Sequence, residues 1–237
     1  MVHEIDKSPR ERRRGANEGR ILDAAMRIIG EAGLEGLSMA RLAEASDYTP
    51  GALYRYFPSK DALLARLVLH VLGEAQEFLA RAAGALPESA PPLARVFALA
   101  QGYRAFARQK PNSFGLLAMT MADPRVLIPG VSEAAPVTAR VITTLELIAS
   151  ALGAAEAAGQ LEPGDVAERT LCLFATLQGL LQLHKQARFA PNVLQLDELT
   201  VMGTRALLIG WGARARTVDA ALVKVAALSN SLTQGLQ

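Results

Sequence analysis

The segment from Ser38 to Lys60 places small side chains ahead of long hydrogen-bond donors, an order that suits contact with DNA. Small residues let a helix backbone approach base edges in the major groove, which is wide enough to admit one helix. Hydroxyl, guanidinium and ammonium groups beyond them can reach the flanking phosphates. We therefore expect a DNA-binding surface built from Ser38, Arg41, Thr49, Pro50, Gly51, Ala52, Tyr54, Arg55, Tyr56 and Lys60.

These side chains divide by the part of DNA that each could reach. Sequence readout is expected from Thr49 to Ala52 and from Arg55, whereas Tyr54 and Tyr56 are expected to contact phosphates. Lys60 opens the next helix, where its ammonium group and the free backbone N–H groups could hold one phosphate together. Solvent exposure alone is the alternative for the charged residues, and packing is the alternative for the tyrosines.

Two short helices joined by a tight turn must position this surface. Ser38 is the expected N-cap of a helix that ends near Ala45, and Ser46–Tyr48 forms the connection. Thr49 is then the cap of the second helix, and Pro50 occupies its first turn, where proline is tolerated. This arrangement is a helix-turn-helix. Its core is expected to include Leu53 and Phe57, which lie four residues apart on one helical face.

A longer amphipathic helix is predicted at Glu18–Ala32, because its apolar residues recur with helical periodicity. Ahead of it, residues 1–16 hold one lysine and four arginines within residues 7–14. That segment lacks apolar periodicity, so we expect a flexible basic arm that aids DNA binding. The alternative is a solvated tail that only aids solubility.

The remainder of the chain also reads as helical. Ser59 is the expected cap of a long helix that reaches about Arg81, and the proline-rich segment Gly84–Pro92 follows it. Apolar periodicity and break residues then predict six further helices, near Leu93–Gln109, Asn112–Met121, Pro136–Ala158, Asp165–Arg188, Leu196–Gly212 and Val218–Ser229. The expected fold class is therefore all-α, with a three-helix head joined by a long helix to a helical bundle.

The run from Leu53 to Leu64 resembles the DNA-binding head of the tetracycline-repressor-like (TetR) family of bacterial regulators. The family pattern is G-x-L-Y-x-H/Y-F-x-x-K-x-x-L, and this chain matches it at Gly51, Leu53, Tyr54, Tyr56, Phe57, Lys60 and Leu63. The resemblance covers residues 18–66. Two departures are Tyr56, where many members have histidine, and Asp47-Tyr48, where a glycine followed by valine or leucine is more usual.

The resemblance implies a DNA-binding domain at residues 17–66 and an effector-binding and dimerisation domain at residues 67–237. It also implies a homodimer that binds a palindromic operator and is released by a small molecule. Helices near residues 165–188 and 196–212 would form the dimer, because they are apolar on nearly all faces and must be buried on all of them. The alternative is that both are internal core helices of a monomer.

An effector pocket would be lined by apolar side chains with a few polar groups. The candidates are Tyr103, Phe106, Phe114, Met119, Phe174, Leu177, Gln178, Leu181 and His184, each of which could instead be ordinary core. Gln178 and His184 are polar residues on one apolar helix and are costly to bury without partners. Because acidic or basic residues do not converge there, a largely apolar effector is expected.

The amino-acid composition argues against several other classes of protein. The chain has 25 Lys plus Arg and 23 Asp plus Glu, and 51% of its residues are apolar, so disorder is not expected. One cysteine and three separated histidines do not form a metal cluster, and no cofactor is expected. Neither a membrane span nor a secretory signal is apparent, so a cytoplasmic protein is predicted. The rival functions are a helical enzyme, for which no nucleophile–base pair is found, and a helical-bundle interaction protein.

Overall fold

The computed structural model describes residues 8–123, 128–187, 189–190 and 192–234, and all regular structure among them is helical. The predicted all-α class is therefore confirmed. The helices are α1 (Pro9–Ala32), α2 (Met39–Ala45), α3 (Pro50–Tyr54), α4 (Lys60–Gly84), α5 (Pro92–Gln109), α6 (Pro111–Ala122), α7 (Val131–Ala157), α8 (Val166–Gln182), α9 (His184–Ala187), α10 (Leu196–Gly210) and α11 (Ala215–Gln234). A 3-10 turn at Leu34–Gly36 follows α1.

The helices form two compact units. The first comprises Met1–Val71 and Asn112–Thr138, and the second comprises Leu72–Pro111 and Ala139–Gln237. These units are defined by packing alone. The functional boundary predicted between residues 66 and 67, which separates a DNA-binding domain from an effector-binding domain, stays a prediction.

Helix α1 begins nine residues earlier than the predicted Glu18, and this start corrects the flexible arm that we expected at residues 1–16. The Ser8 hydroxyl accepts a hydrogen bond from the Glu11 backbone N–H at 3.3 Å, and the Glu11 carboxylate accepts one from the Ser8 N–H at 2.8 Å. This reciprocal capping box, with Pro9 in the first turn, starts the helix without any apolar stripe. Residues 9–16 are thus helical, and the first seven lie outside the described residues.

The core of the first unit is made by α1 and by single anchors from the short helices that follow it. Ile21 of α1 is fully buried, and so are Leu42 of α2 and Leu53 of α3. Phe57 and Leu63 are also fully buried. Removing such apolar surface from water is what stabilises helices too short to persist alone.

Helix α5 lies at the centre of the second unit and packs closely against α4 at Gly102. A β-carbon at that position would lie 2.9 Å from the Ala82 β-carbon and 2.9 Å from the Phe78 carbonyl oxygen. Any larger residue would therefore force the two helices apart. Helix α5 also packs against α8, α10 and α11.

One polar pair is buried inside this apolar core. The Tyr103 hydroxyl of α5 donates a hydrogen bond to Oε1 of Gln178 on α8. Tyr103 is 4% exposed and Gln178 is 6% exposed, and burial raises the pKa of the Tyr103 phenol. Within the described residues, Nε2 of Gln178 is buried and has no hydrogen-bond partner. A buried donor without an acceptor costs about 1–3 kcal/mol, so this amide destabilises the ligand-free core.

Helix α7 is long and apolar enough to cross a membrane by length and composition alone, with a mean hydropathy of 1.4 over its best window. Only 22% of that window is buried within the protein. A single helix of this kind is weak evidence for a membrane span, because helices of water-soluble proteins meet the same criterion.

Replacing Tyr103 with phenylalanine should lower the free energy of unfolding by about 1–3 kcal/mol, because Gln178 Oε1 loses its donor in the core. Adding Gln178→Leu in the same chain should recover most of that loss, because no unpaired amide then remains. Urea denaturation of the single and double variants measures both effects. A Tyr103→Phe protein as stable as the wild type would show that the pair contributes nothing to the core.

Candidate DNA-binding surface and effector site

The turn between α2 and α3 fixes the angle at which α3 leaves the core. Asp47, one of the departures from the family pattern that the sequence resembles, adopts the left-handed conformation with φ of 58°. Aspartate is one of the few residues other than glycine that tolerate this conformation. The Tyr48 N–H donates to the Ala43 carbonyl at 2.9 Å, which closes the turn onto α2. The departure from the family pattern is therefore accommodated without loss of the turn.

Helix α3 presents its leading end to solvent. The Thr49 hydroxyl accepts from the Ala52 N–H at 3.3 Å and caps the helix, as predicted. Thr49, Pro50 and Gly51 are exposed, and Ala52 is half-buried. Leu53 is fully buried, so the helix is anchored in the core while its leading end remains accessible.

Two of the predicted tyrosines differ in their surroundings. Tyr54 is 50% exposed, so its hydroxyl is accessible from solvent. Tyr56 is half-buried, and its ring meets Tyr48 edge-on with a centroid separation of 5.9 Å. Partial burial and a hydrogen bond with Tyr56 raise the pKa of the Tyr48 phenol. Tyr56 therefore takes part in packing, and its contact with phosphate stays a prediction.

Helix α1 brings a cation to this surface that the sequence reasoning did not place there. The Arg14 guanidinium lies 5.8 Å from the Tyr56 ring centroid and 3.5 Å from the Arg55 carbonyl oxygen. The exposed Arg10, Arg12 and Arg13 precede it on the same helix. The Ser-x-x-Glu capping signal at Ser8 was the sequence feature that could have revealed this helical placement.

The other predicted DNA-binding residues lie at helix starts and are exposed. Ser38 caps α2 by accepting from the Arg41 N–H at 3.2 Å. The Arg41 guanidinium lies 3.8 Å from the Glu31 carboxylate, on the surface. Lys60 is exposed in the first turn of α4, where backbone N–H groups also face outward. Each residue is therefore accessible to a phosphate.

The predicted effector residues of the second unit gather around the Tyr103–Gln178 pair. The Tyr103 ring lies 6.0 Å from that of Phe106 and 5.8 Å from that of Phe174, measured between centroids. Leu177 and Leu181 are buried on the same helix as Gln178. These predicted effector residues of α5 and α8 are therefore apolar neighbours of one buried amide.

Three predicted effector residues stand outside this cluster. The His184 side chain is exposed, and its Nδ1 lies 3.2 Å from the Leu181 carbonyl oxygen. Phe114 and Met119 belong to α6 in the first unit, where Phe114 is buried and Met119 is half-buried. In the described part of the chain, no group of three or more His, Cys, Asp or Glu side chains could hold a metal ion.

Comparison with known proteins places both parts of the chain. Residues 21–67 match the family of bacterial regulatory proteins, tetR family. Residues 96–207 match the tetracyclin repressor-like C-terminal domain. The transcriptional repressor KstR of Mycolicibacterium smegmatis is 47% identical over 58 residues, or 24% of this chain and 26% of that protein. The transcriptional regulator BetI of Rhizobium meliloti is 33% identical over 79 residues, which cover 33% of this chain and 37% of that protein.

The similarity to solved structures extends over most of the chain. A protein of unknown function from Rhodococcus sp. RHA1 matches 90% of this chain and all of that one, with 24% identity and a TM-score of 0.67. The regulator FadR of Bacillus subtilis, solved with stearoyl-CoA, matches 80% of this chain and 97% of its own, with 16% identity and a TM-score of 0.64. At such identities these structures show the fold alone, whereas the chain aligns with only about a quarter to a third of the two curated relatives. With its head and its C-terminal domain both matched, the chain belongs to the TetR family of bacterial regulatory proteins.

Proposed function

We propose that this protein is a homodimeric, cytoplasmic transcriptional repressor that leaves a palindromic operator when a largely apolar small molecule binds. The observation that carries the proposal is α3, whose inner face is fixed by the fully buried Leu53 while Tyr54 stands 50% exposed beside it. An exposed aromatic donor at the end of a capped helix after a tight turn is suited to a phosphate beside the major groove. Membership of a family of bacterial regulators supports the same function and the cytoplasmic location.

The proposed contacts with DNA fall into two groups, those to bases and those to phosphates. The leading end of α3 would enter the major groove, with Thr49, Pro50, Gly51, Ala52 and Arg55 near base edges. Phosphates would be held by Ser38, Arg41, Tyr54, Tyr56 and Lys60, with the arginines at the start of α1 adding electrostatic attraction. Two heads related by a two-fold axis would read two half-sites spaced by whole helical turns.

Replacing Tyr54 with alanine should weaken operator binding by roughly tenfold or more, because a hydrogen bond to a charged phosphate contributes about 1.5–3 kcal/mol. Fluorescence anisotropy with the protein's own upstream intergenic DNA, at two salt concentrations, measures this loss. Stability should change by about 0.5 kcal/mol or less, because the side chain is exposed.

Two controls sharpen this experiment. Tyr54→Phe keeps the ring and removes only the hydroxyl, so it should lose most of the affinity if the hydroxyl meets a phosphate. Arg216→Ala removes an exposed arginine of α11 and should leave binding unchanged. Wild-type affinity in Tyr54→Ala, measured on an operator chosen from random duplexes, would contradict the placement of α3 on DNA.

The proposed dimer rests on the unpaired faces of α8 and α10. These helices pack closely, since a β-carbon on Gly203 would lie 3.1 Å from the Thr176 methyl group. On their outer sides, Leu171 is 56% exposed and Met202 is 60% exposed. The exposed Ala175, Gly179, Ala206 and Gly210 flank these residues. Two copies meeting through these faces would bury them in an isologous four-helix interface.

Met202→Glu should convert the dimer to a monomer, because the new carboxylate would face its own symmetry mate or apolar side chains. Size-exclusion chromatography with light scattering measures the mass of the particle. Val223→Glu is a matched control, because Val223 is 70% exposed on α11, and this variant should remain dimeric. A dimeric Met202→Glu protein would place the interface elsewhere.

The proposed effector site is the aromatic cluster around Gln178. Its amide nitrogen is a buried donor without an acceptor, while the amide oxygen already accepts from Tyr103. An apolar molecule that presents one carbonyl, carboxylate or hydroxyl oxygen to this nitrogen would satisfy it and contact the surrounding rings. Known structures of the fold include FadR with stearoyl-CoA and RolR with resorcinol, two chemically different molecules.

Gln178→Leu should abolish the thermal stabilisation given by apolar compounds that carry one oxygen acceptor. A thermal-shift panel of paired aromatic ketones and their parent hydrocarbons identifies such compounds with the wild-type protein. Gln182→Leu is the matched control, since Gln182 is exposed on the same helix and should keep every response. Equal responses of Gln178→Leu and the wild type to the ketones would remove Gln178 from the effector site.

A further inference from the structure

A second concave site lies within the second unit, between α4 and α5 and beside α11. The cleft has a volume of about 370 Å³, which is within the range of pockets that bind small molecules. Side chains from residues 78–86, from residues 98–109 of α5 and from Val225 of α11 line it. Neither Tyr103 nor Gln178 is among them, and the cleft adjoins the proposed effector site through the contact between Phe78 and Phe106.

Alanines from both helices and from the turn after α4 make part of the lining apolar. Phe78 and Ala82 lie four residues apart on α4, Ala85 follows the end of that helix, and Ala98 and Ala105 lie two turns apart on α5. The close approach of the helices at Gly102 closes the base of the cleft. Phe78 is in turn held by the Phe106 ring, at a centroid distance of 6.0 Å. The floor is thus a flat, fixed surface for an apolar or aromatic body.

The rim of the cleft is cationic. Arg81, Arg104 and Arg108 line it, and among the described residues that line the cleft none is acidic. Arg104 has a carboxylate partner in Asp197, at 2.5 Å. The other two differ: the Arg81 guanidinium lies 5.4 Å from the Phe78 ring centroid, and across the described residues neither Arg81 nor Arg108 has a carboxylate within ion-pair distance. Two guanidinium groups that line the cleft therefore have no carboxylate within ion-pair distance among the described residues.

We propose that this cleft binds a small amphipathic anion. Its apolar body would lie on Phe78 and the alanine floor, and its phosphate or carboxylate group would be held by Arg81 and Arg108. The planar guanidinium fork matches both groups, since either offers two oxygens in one plane. Gln101 and Gln109 add amide groups at the same rim. The inference does not depend on the DNA-binding role, because every residue involved belongs to the second unit.

The test measures the affinity of the full-length protein for three naphthalene probes by isothermal titration calorimetry. 1-Naphthyl phosphate and 1-naphthoate carry the two anionic groups, and 1-naphthol is the neutral match. The variants are Arg81→Gln and Arg108→Gln. Arg216→Gln is the control, because it removes one exposed arginine elsewhere on α11. Thermal denaturation checks that each variant is folded, and Arg108→Lys tests whether a cation without the planar fork suffices.

At least one anionic probe should bind at one site per protomer, and each cleft variant should weaken it by about tenfold, as expected for one lost charge-assisted contact. Arg216→Gln should bind like the wild type, and Arg108→Lys should recover part of the loss. Comparison of the two anions shows whether phosphate or carboxylate is preferred.

Three results would overturn the proposal: equal affinities in Arg108→Gln and Arg216→Gln, equal binding of 1-naphthol and the anions, or no binding of either anion. A probe affinity lost in Gln178→Leu but kept in Arg108→Gln would also overturn it, because that pattern places the probe in the effector site instead. Operator binding by the same variants is measured separately, so a failure of the cleft and a failure of the DNA-binding role give different results.

Discussion

The burial of Leu53 and Phe57 is the constraint on which the DNA-binding surface depends. Helix α3 has five residues, far fewer than a helix needs to persist alone in water, so its conformation is held by what it buries. Both anchors are completely buried. Because Leu53 fixes the rotation of α3 and Phe57 anchors the residues that follow the helix, Tyr54 and Arg55 between them remain exposed, and Tyr56 is half-buried. The same packing that stabilises the head therefore also presents the surface that we propose reads DNA.

The second unit uses the opposite device, a polar pair within an apolar core. Tyr103 and Gln178 come from helices far apart in sequence, and their hydrogen bond satisfies only one side of the amide. A fully apolar pair would be simpler to bury. The proposed effector site rests on this residual donor, which distinguishes the cluster from the arginine-lined cleft, where the polar groups are charged.

Helices α8 and α10 show why a sequence apolar on all sides needs more than one partner. Their inner faces pack into the second unit, with Thr204 and Leu208 of α10 completely buried. Their outer faces remain exposed in one protomer, with small residues between Leu171 and Met202. A helix that packs into one core needs only one apolar face, so the second apolar face of α8 and of α10 is the feature on which the proposed dimer rests.

The sequence by itself determined the helical class, the caps at Ser38 and Thr49 and the core anchors Leu53 and Phe57. These features depend on neighbours within about one or two turns, so local patterns suffice. The start of α1 was also encoded locally, in the Ser8 capping box, but the lack of apolar periodicity concealed it. Only the tertiary structure decided that Tyr56 packs against Tyr48 and Arg14, and that arginines from α4 and α5 share one cleft. Such meetings depend on how separate helices pack, which periodicity along one helix does not specify.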